Sequence, residues 1–176
     1  MTGQLASGGS LPRSQSRQNS PIFLTFSHGA LYTLGIMSMK KVDSAGLESW
    51  VQLLIKDHTV YGVQAKEDRF AFDSLESAAD LRLDYDVTIL PPKKYLQPQK
   101  EVLLTFDQNG CFESVMNEES FIILGVHPYD MVAISQMDKI FTMDNRDEHY
   151  MAYRERATII VSDVQNASKD VFAGCM

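Results

Sequence analysis

The side chains that most often carry chemistry are scattered along this chain. The four histidines are His28, His58, His127 and His149. They lack the short spacings that let imidazoles converge on a zinc ion, so each is interpreted as a turn or surface residue. The two cysteines, Cys111 and Cys175, form no CxxC pair, and Cys111 is expected to be a half-buried structural thiol. We predict no metal site and no cofactor.

Carboxylates also lie close together at residues 144–148. This run lacks the glycine and the distant glutamate of a calcium-binding loop, so we interpret it as a solvated charge run. The sequence also contains no glycine-rich phosphate loop and no serine elbow. We therefore predict that the protein is not an enzyme and assign no catalytic residue.

The negative net charge indicates which classes of partner this protein is not expected to bind. The 176 residues carry a net charge of −7, and the first 20 contain two arginines and no acid, so the remainder is more acidic still. Binding to nucleic acid or an anionic membrane needs a basic face and is disfavoured. No run approaches the roughly 18 to 20 apolar residues that span a bilayer. The scarce, unpaired cysteines favour a reducing compartment, either the cytoplasm or the nucleus.

Composition divides the chain into three parts. Residues 1–20 are rich in Ser, Gly and Gln and are predicted to be a disordered tail. In this tail Arg17 precedes Ser20 by three positions and Pro21 follows it, which makes Ser20 a phosphorylation candidate. Residues 21–165 are predicted to form one globular domain, and residues 166–176 a short tail.

Short strands dominate the predicted secondary structure. Apolar runs with strand periodicity or β-branched content, bounded by turn residues, occur at residues 22–26, 30–39, 50–55, 59–65, 87–90, 102–106, 111 onward, 131–134 and 158–161. Capping residues followed by spaced apolar side chains predict short helices over residues 75–81 and 117–124. The proline-containing residues 91–100 are predicted to be a linker. The fold class is thus α+β with β dominant.

The order of these elements over residues 48–141 is that of a ubiquitin-like roll, with an extra N-terminal hairpin and a C-terminal strand outside it. The segments 61–65, 74–76, 102–110 and 118–121 resemble those of the amino-terminal interaction domain shared by the cell-death-inducing effectors and the DNA fragmentation factor subunits. Residues 53–87 and 103–131 share a loosely similar order of apolar, aspartate and aromatic residues. An internal duplication is therefore an alternative interpretation. That duplication would give a small β-barrel or a two-lobed β domain instead.

The resemblance implies a function. Domains of that family pair through oppositely charged faces, and here Asp107, Glu113, Glu118 and Glu119 are predicted to form the acidic face. The basic candidates are Lys56, Lys66 and Arg69. We predict a non-catalytic protein-interaction module, in apoptotic or assembly signalling, that binds itself or a protein with a basic surface. The alternative is a structural subunit of a larger protein assembly.

Overall fold

A five-stranded mixed sheet organises the part of the chain that the computed structural model describes, residues 23–26 and 42–167. The elements in chain order are β1 (Phe23–Phe26), α1 (Ser44–Asp57), β2 (Thr59–Lys66), β3 (Arg69–Ser74), β4 (Leu104–Phe106), β5 (Phe112–Ser114), β6 (Phe121–Val126), α2 (Pro128–Thr142), α3 (Glu148–Arg156) and β7 (Ala157–Ser162). Single 3-10 turns occur at Ala78–Asp80 and Pro92–Tyr95.

The centre of the sheet is parallel and its edges are antiparallel. The strand order is β1-β7-β6-β2-β3, in which β6 runs parallel to both β2 and β7. The edge strand β1 pairs antiparallel with β7, and β3 pairs antiparallel with β2. Strands β4 and β5 form a separate two-stranded sheet.

Helices cover both faces of the main sheet, and this produces two apolar cores. Val51 of α1 packs with Val60, Ile122, Leu124 and Ile160 on one face. On the other face, helices α2 and α3 connect β6 to β7 and contribute the buried side chains Ile134, Tyr150 and Met151. All six residues of β6 are buried, as expected of a central parallel strand covered on both sides.

The α+β class with strands as the more numerous elements is confirmed. The predicted strands at residues 22–26, 59–65 and 158–161 correspond to β1, β2 and β7, and the hairpin predicted from residue 102 corresponds to β4 and β5. The barrel alternative is wrong for the described residues, because the main sheet is open and ends at β1 and β3.

The strand predicted over residues 50–55 is wrong, because these residues belong to helix α1. The Asp43 carboxylate accepts a hydrogen bond from Gly46 N at 2.8 Å and so caps the helix. Leu47, Val51, Leu54 and Ile55 then recur at helical spacing and pack on the sheet. Within residues 50–55 the helix turns Val51, Leu54 and Ile55 towards the sheet and leaves Trp50 and Leu53 exposed, a division that strand alternation would not give.

Two further elements were predicted in the opposite state. Residues 121–124, expected in a helix, form strand β6, and residues 131–134, expected in a strand, lie in α2. Asn117 does not cap a helix, and its side chain bonds to the backbone of Glu119 in a turn. Pro128 occupies the start of α2, where its missing N–H costs no hydrogen bond. The element order predicted for residues 48–141 therefore differs from the structure at these three segments, and strand β3 (Arg69–Ser74), for which no strand was predicted, is a fourth difference.

Smaller corrections concern the segment between β3 and β4. The helix predicted over residues 75–81 is reduced to the 3-10 turn at Ala78–Asp80, and the strand predicted over residues 87–90 to one bridge between Thr88 and Phe70. The predicted linker over residues 91–100 contains a 3-10 turn and the fully buried Leu96.

Several predictions fall on residues outside the described ranges: the tail of residues 1–20 with Ser20, the strand over residues 30–39, and most of the C-terminal tail. Among the described helices, none combines the length and the apolar composition that crossing a membrane requires.

Candidate interaction surface

A two-stranded ribbon stands apart from both cores. It consists of β4, β5 and their flanking residues, 102–116, and is called the ribbon below. Its strands pair antiparallel, with Leu104 opposite Ser114 and Phe106 opposite Phe112, and a hydrogen bond from Val115 N to Leu103 O (2.9 Å) extends the ladder. None of the residues 102–116 belongs to either core cluster of the described chain.

One face of the ribbon is apolar and exposed. Side chains alternate between the faces of a β-ribbon, so Leu104, Phe106, Phe112 and Ser114 share one face. The same alternation adds Val102 and Met116, which flank the strands. We call these six residues the apolar face. Phe106 and Phe112 are 72% and 71% exposed and form a cross-strand pair at its outer end.

The turn of the ribbon is tightly hydrogen-bonded. The Asp107 carboxylate accepts from Asn109 N at 2.9 Å and from Cys111 N at 2.8 Å, and Gly110 adopts a positive φ of 78°. Asp107 N donates to Cys111 O at 2.9 Å. These bonds fix the end of the ribbon, so Phe106 and Phe112 are presented from a defined backbone.

The four predicted acidic-face residues lie in three settings. Asp107 structures the turn of the ribbon, and Glu113 lies on the face opposite the apolar face. Glu118 and Glu119 lie in the exposed loop that leads into β6. The acidic residues therefore surround the ribbon and its base but leave its apolar face free of charge.

The three predicted basic residues lie elsewhere. Lys66 and Arg69 are opposite each other at the β2–β3 turn, and Lys66 Nζ forms an ion pair with Asp73 at 2.8 Å. Lys56 lies in the last turn of α1, where its charge is favourable near the helix C-terminus.

His127 is buried at the carboxyl end of β6, so its interpretation as a turn or surface residue is wrong. Its ring stacks on Tyr85 with centroids 3.9 Å apart. A bulge at Gly125 (φ 87°) precedes it, and Tyr85 OH donates to the Gly125 carbonyl at 2.8 Å. Such bulges redirect the residues that follow them.

Hydrogen bonding indicates that Nδ1 of His127 carries a proton, and the pKa of the ring decides whether Nε2 carries one as well. Tyr129 OH donates to Asp86 O at 2.9 Å, so the 2.5 Å contact between Tyr129 OH and His127 Nδ1 places the imidazole proton on Nδ1. Nε2 has no hydrogen-bond partner among the described residues. Burial lowers the pKa of His127 to about 4 despite the carboxylates of Asp86 and Asp163. The ring is therefore neutral, and Nε2 can accept a hydrogen bond.

The remaining candidates for chemistry have different surroundings. His58 is exposed at the end of α1, in agreement with its interpretation, whereas His149 is half-buried and lies 3.4 Å from Ser114 Oγ. Cys111 is exposed, so the half-buried thiol is a wrong prediction. Within the described part of the chain, no three His, Cys, Asp or Glu side chains are grouped to hold a metal ion.

A shallow pocket of about 300 Å³ opens where β2 and β6 begin. Tyr61 and Tyr95 stack in its wall with centroids 4.0 Å apart, and Phe121 meets Tyr61 edge-on. Lys94 Nζ lies 4.8 Å from the Tyr95 ring centroid and donates to Phe72 O at 2.7 Å. Since these groups bind one another, we assign the pocket a packing role.

The sequence interpretation found the hairpin but missed its apolar face as a site. The signal was present, because Val102, Leu104 and Phe106 on one side of the turn, and Phe112 and Met116 on the other, occupy alternate positions. Alternate apolar residues normally face a core, and the sequence alone does not reveal that no core lies beneath them.

Comparison with known proteins gives one informative similarity. The chain is 32% identical over 101 residues to sulfhydrogenase 2 subunit beta of Pyrococcus furiosus, which covers 57% of this chain and 30% of that subunit. The chain thus spans less than a third of the length of the curated relative it matches. No protein-family model and no solved structure matches it.

This similarity overturns the predicted function. A likeness to an enzyme subunit contradicts an adaptor in apoptotic signalling and favours the alternative, a subunit of a larger assembly. It bears neither for nor against the resemblance to the cell-death-inducing effectors, which stays a prediction about residues 48–141. The prediction that the chain has no catalytic activity also stays a prediction.

Proposed function

We propose that this chain is a structural subunit of a multi-subunit enzyme of the hydrogenase type. The observation that carries the proposal is the 32% identity over 101 residues to a protein named as a sulfhydrogenase subunit. An identity of this length spans several of the elements described above and so exceeds what a short shared motif produces. A chain of this kind is expected to work while bound to other polypeptides.

The ribbon supports the same proposal from the structure. Large apolar side chains exposed side by side are typical of surfaces that other proteins cover, and exposed β-ribbons are prone to association. The ribbon places Phe106, Phe112 and Leu104 in such an arrangement.

From the likeness to the sulfhydrogenase subunit we infer that this chain belongs to an assembly, but we do not infer that it takes part in the reaction. Because the chain covers 30% of its relative, most of that subunit has no counterpart here. We assign this chain contacts with protein partners and no step of the chemistry. A reducing, cytoplasmic location fits the proposal, whereas nothing supports the nuclear alternative.

The test is the state of the chain in its own cell. The chain, tagged at its own locus, is purified under mild conditions, and the particle that carries it is measured by native mass and by polypeptide composition. We expect a particle well above 19.8 kDa with other polypeptides in fixed molar ratio. Hydrogen-dependent reduction of a redox dye by the same particle would identify the enzyme type.

Two results would contradict the proposal. A chain recovered only at 19.8 kDa would exclude stable membership of an assembly. A stable particle without hydrogen-dependent dye reduction would exclude the hydrogenase type while leaving a different assembly. A second chain of similar abundance, tagged in the same way, controls for non-specific capture.

A further inference from the structure

We propose that the apolar face of the ribbon docks into an apolar groove, rimmed by lysine or arginine, on a different polypeptide of the same assembly. This inference rests on the proposed function and names the surface and the chemistry of the partner. It follows from the exposure of the ribbon, from its lack of internal support and from the charges around it.

The exposure of the apolar face is high at every apolar position. Val102 is 62% exposed, Leu104 43%, Phe106 72%, Phe112 71% and Met116 39%. The fully buried centre of a protein interface is commonly built from such aromatic and aliphatic side chains, with one or two aromatic anchors near its middle. The Phe106–Phe112 pair has the composition of such an anchor.

The ribbon also lacks the support that a stable β-sheet needs. A two-stranded hairpin without a third strand or a packed helix is marginal in water. The tight turn orders its tip, and Ser114 Oγ lies 3.4 Å from His149 Nε2 at its base. A covering surface would provide the missing packing, and the already ordered turn would reduce the entropy lost on binding.

The charges around the ribbon argue for a partner other than a second copy. Between Lys100 and Lys139 the chain contains no lysine and no arginine, whereas Asp107, Glu113, Glu118 and Glu119 are all exposed on the ribbon or near its base. Glu113 lies on the opposite face, so the carboxylates that border the apolar face are Asp107 at the tip and Glu118 and Glu119 near the base. Two copies packed through their apolar faces would both present acidic side chains at this border and no lysine or arginine from it to compensate them, which disfavours association. A groove with a basic rim would meet the same carboxylates favourably.

The first experiment places a photo-activatable cross-linker in the full chain. One variant carries it at Phe112 on the apolar face, and the control carries it at Leu53 of α1, which is 57% exposed and lies away from the ribbon. In the native particle we expect the Phe112 position to cross-link to one other polypeptide. The cross-linked peptide is expected to be apolar with lysine or arginine nearby, and Leu53 is not expected to give this product.

The second experiment measures affinity with purified components. The polypeptide identified by the cross-link is titrated with wild-type chain, with the double variant Phe106→Ser, Phe112→Ser, and with the control Leu53→Ser. We expect the double variant to bind about tenfold or more weakly, as for the loss of a hot-spot pair, and the control to bind like wild type. Melting temperatures of the three chains, compared first, exclude a folding defect.

The outcomes separate this inference from the proposed function. A wild-type chain that enters no particle overturns both. A wild-type particle in which Phe112 cross-links to another copy of this chain, or to nothing, overturns the docking surface alone. Unchanged affinity of the double variant does the same. If the double variant does not fold, the cross-link from Phe112 decides the question, because it leaves Phe106 in place.

Discussion

The ribbon and strand β6 follow one another in the chain and occupy opposite environments. The six residues of β4 and β5 are all exposed, whereas the six residues of β6 are all buried. Strand β6 has a hydrogen-bonded neighbour on each edge and helices over each face of its sheet. Each strand of the ribbon has a hydrogen-bonded neighbour on one edge only, and no helix covers its apolar face in a core. Both segments are nevertheless rich in large apolar residues.

The difference shows that apolar content does not by itself determine burial. A segment is buried when other elements cover it, and coverage depends on which segments pair across the sheet. In this chain β2 and β7 pair with the two edges of β6, while α1 on one face and α2 and α3 on the other cover its side chains, all within one polypeptide. Under our proposal a second polypeptide buries the ribbon in the same physical sense, with apolar area removed from water.

The largest expected difference in stability between the two regions is found by truncating one large side chain in each of them. Ile123→Ala in β6 removes a fully buried side chain and should lower the free energy of unfolding by about 2 to 5 kcal/mol. Phe112→Ala on the ribbon should change it by no more than about 0.5 kcal/mol in the isolated chain. Urea denaturation at fixed pH measures both. A large loss for Phe112→Ala would show that the ribbon is packed in the free chain.

A second prediction concerns the pH dependence of stability that arises from His127 and Asp130, which follow strand β6 in the chain. The pKa of His127 falls from 6.5 to about 4 on folding, so between these values the unfolded chain binds the extra proton. Stability from His127 therefore rises with pH through this window, by at most about 1.4 kcal/mol per pH unit. Burial raises the pKa of Asp130 to about 6, so its contribution falls as pH rises from about 4 to 6.

These two contributions oppose each other in the wild-type chain, and variants separate them. Asp130→Asn should make the free energy of unfolding rise more steeply between about pH 4 and 6 than in wild type, because only His127 then titrates. His127→Gln should give the reverse slope. Urea denaturation across this pH range provides the measurement, and parallel curves for wild type and both variants would contradict the assignments.

The smallest expected difference in stability is between alanine substitutions at two glycines with positive φ, one in each region. Gly110→Ala in the ribbon turn meets no atom within 4 Å and should cost about 1 kcal/mol from the left-handed backbone alone. Gly125→Ala places a Cβ 2.8 Å from Leu83 Cδ2, so the leucine must move, and we expect about 2 kcal/mol in total. Thermal denaturation measures the difference, and equal losses would show that Leu83 yields freely.

The sequence predicted the β4–β5 hairpin correctly and strand β6 incorrectly. The β4–β5 hairpin was predicted because its turn is local, with Asp107 and Gly110 supplying the hydrogen bonds and the positive φ. Strand β6 was predicted as a helix because Glu118 and Glu119 before Phe121 and Leu124 are typical of a helix start. Pairing of Phe121 with Thr59 and Ala157, both distant in sequence, outweighed that local preference.

The candidate site was only partly predictable for the same reason. The apolar face of the ribbon follows from alternation at residues 102–106 and 112–116, but its exposure depends on where α2, α3 and the sheet lie. His127 offered no signal of burial in its own neighbourhood, since His-Pro is common in turns. Its environment is made by the ring of Tyr85, which stacks on it from a segment distant in sequence, and by Tyr129 OH, which contacts Nδ1.

The sequence by itself therefore determined the acidic balance, the α+β composition and the hairpin, because these depend on residue types and on contacts between near neighbours. The tertiary structure alone decided that residues 121–126 form a central strand, that His127 is neutral and buried, and that the ribbon is uncovered. Each of these depends on packing between segments far apart in the chain, and local propensity is weaker than the free energy of that packing.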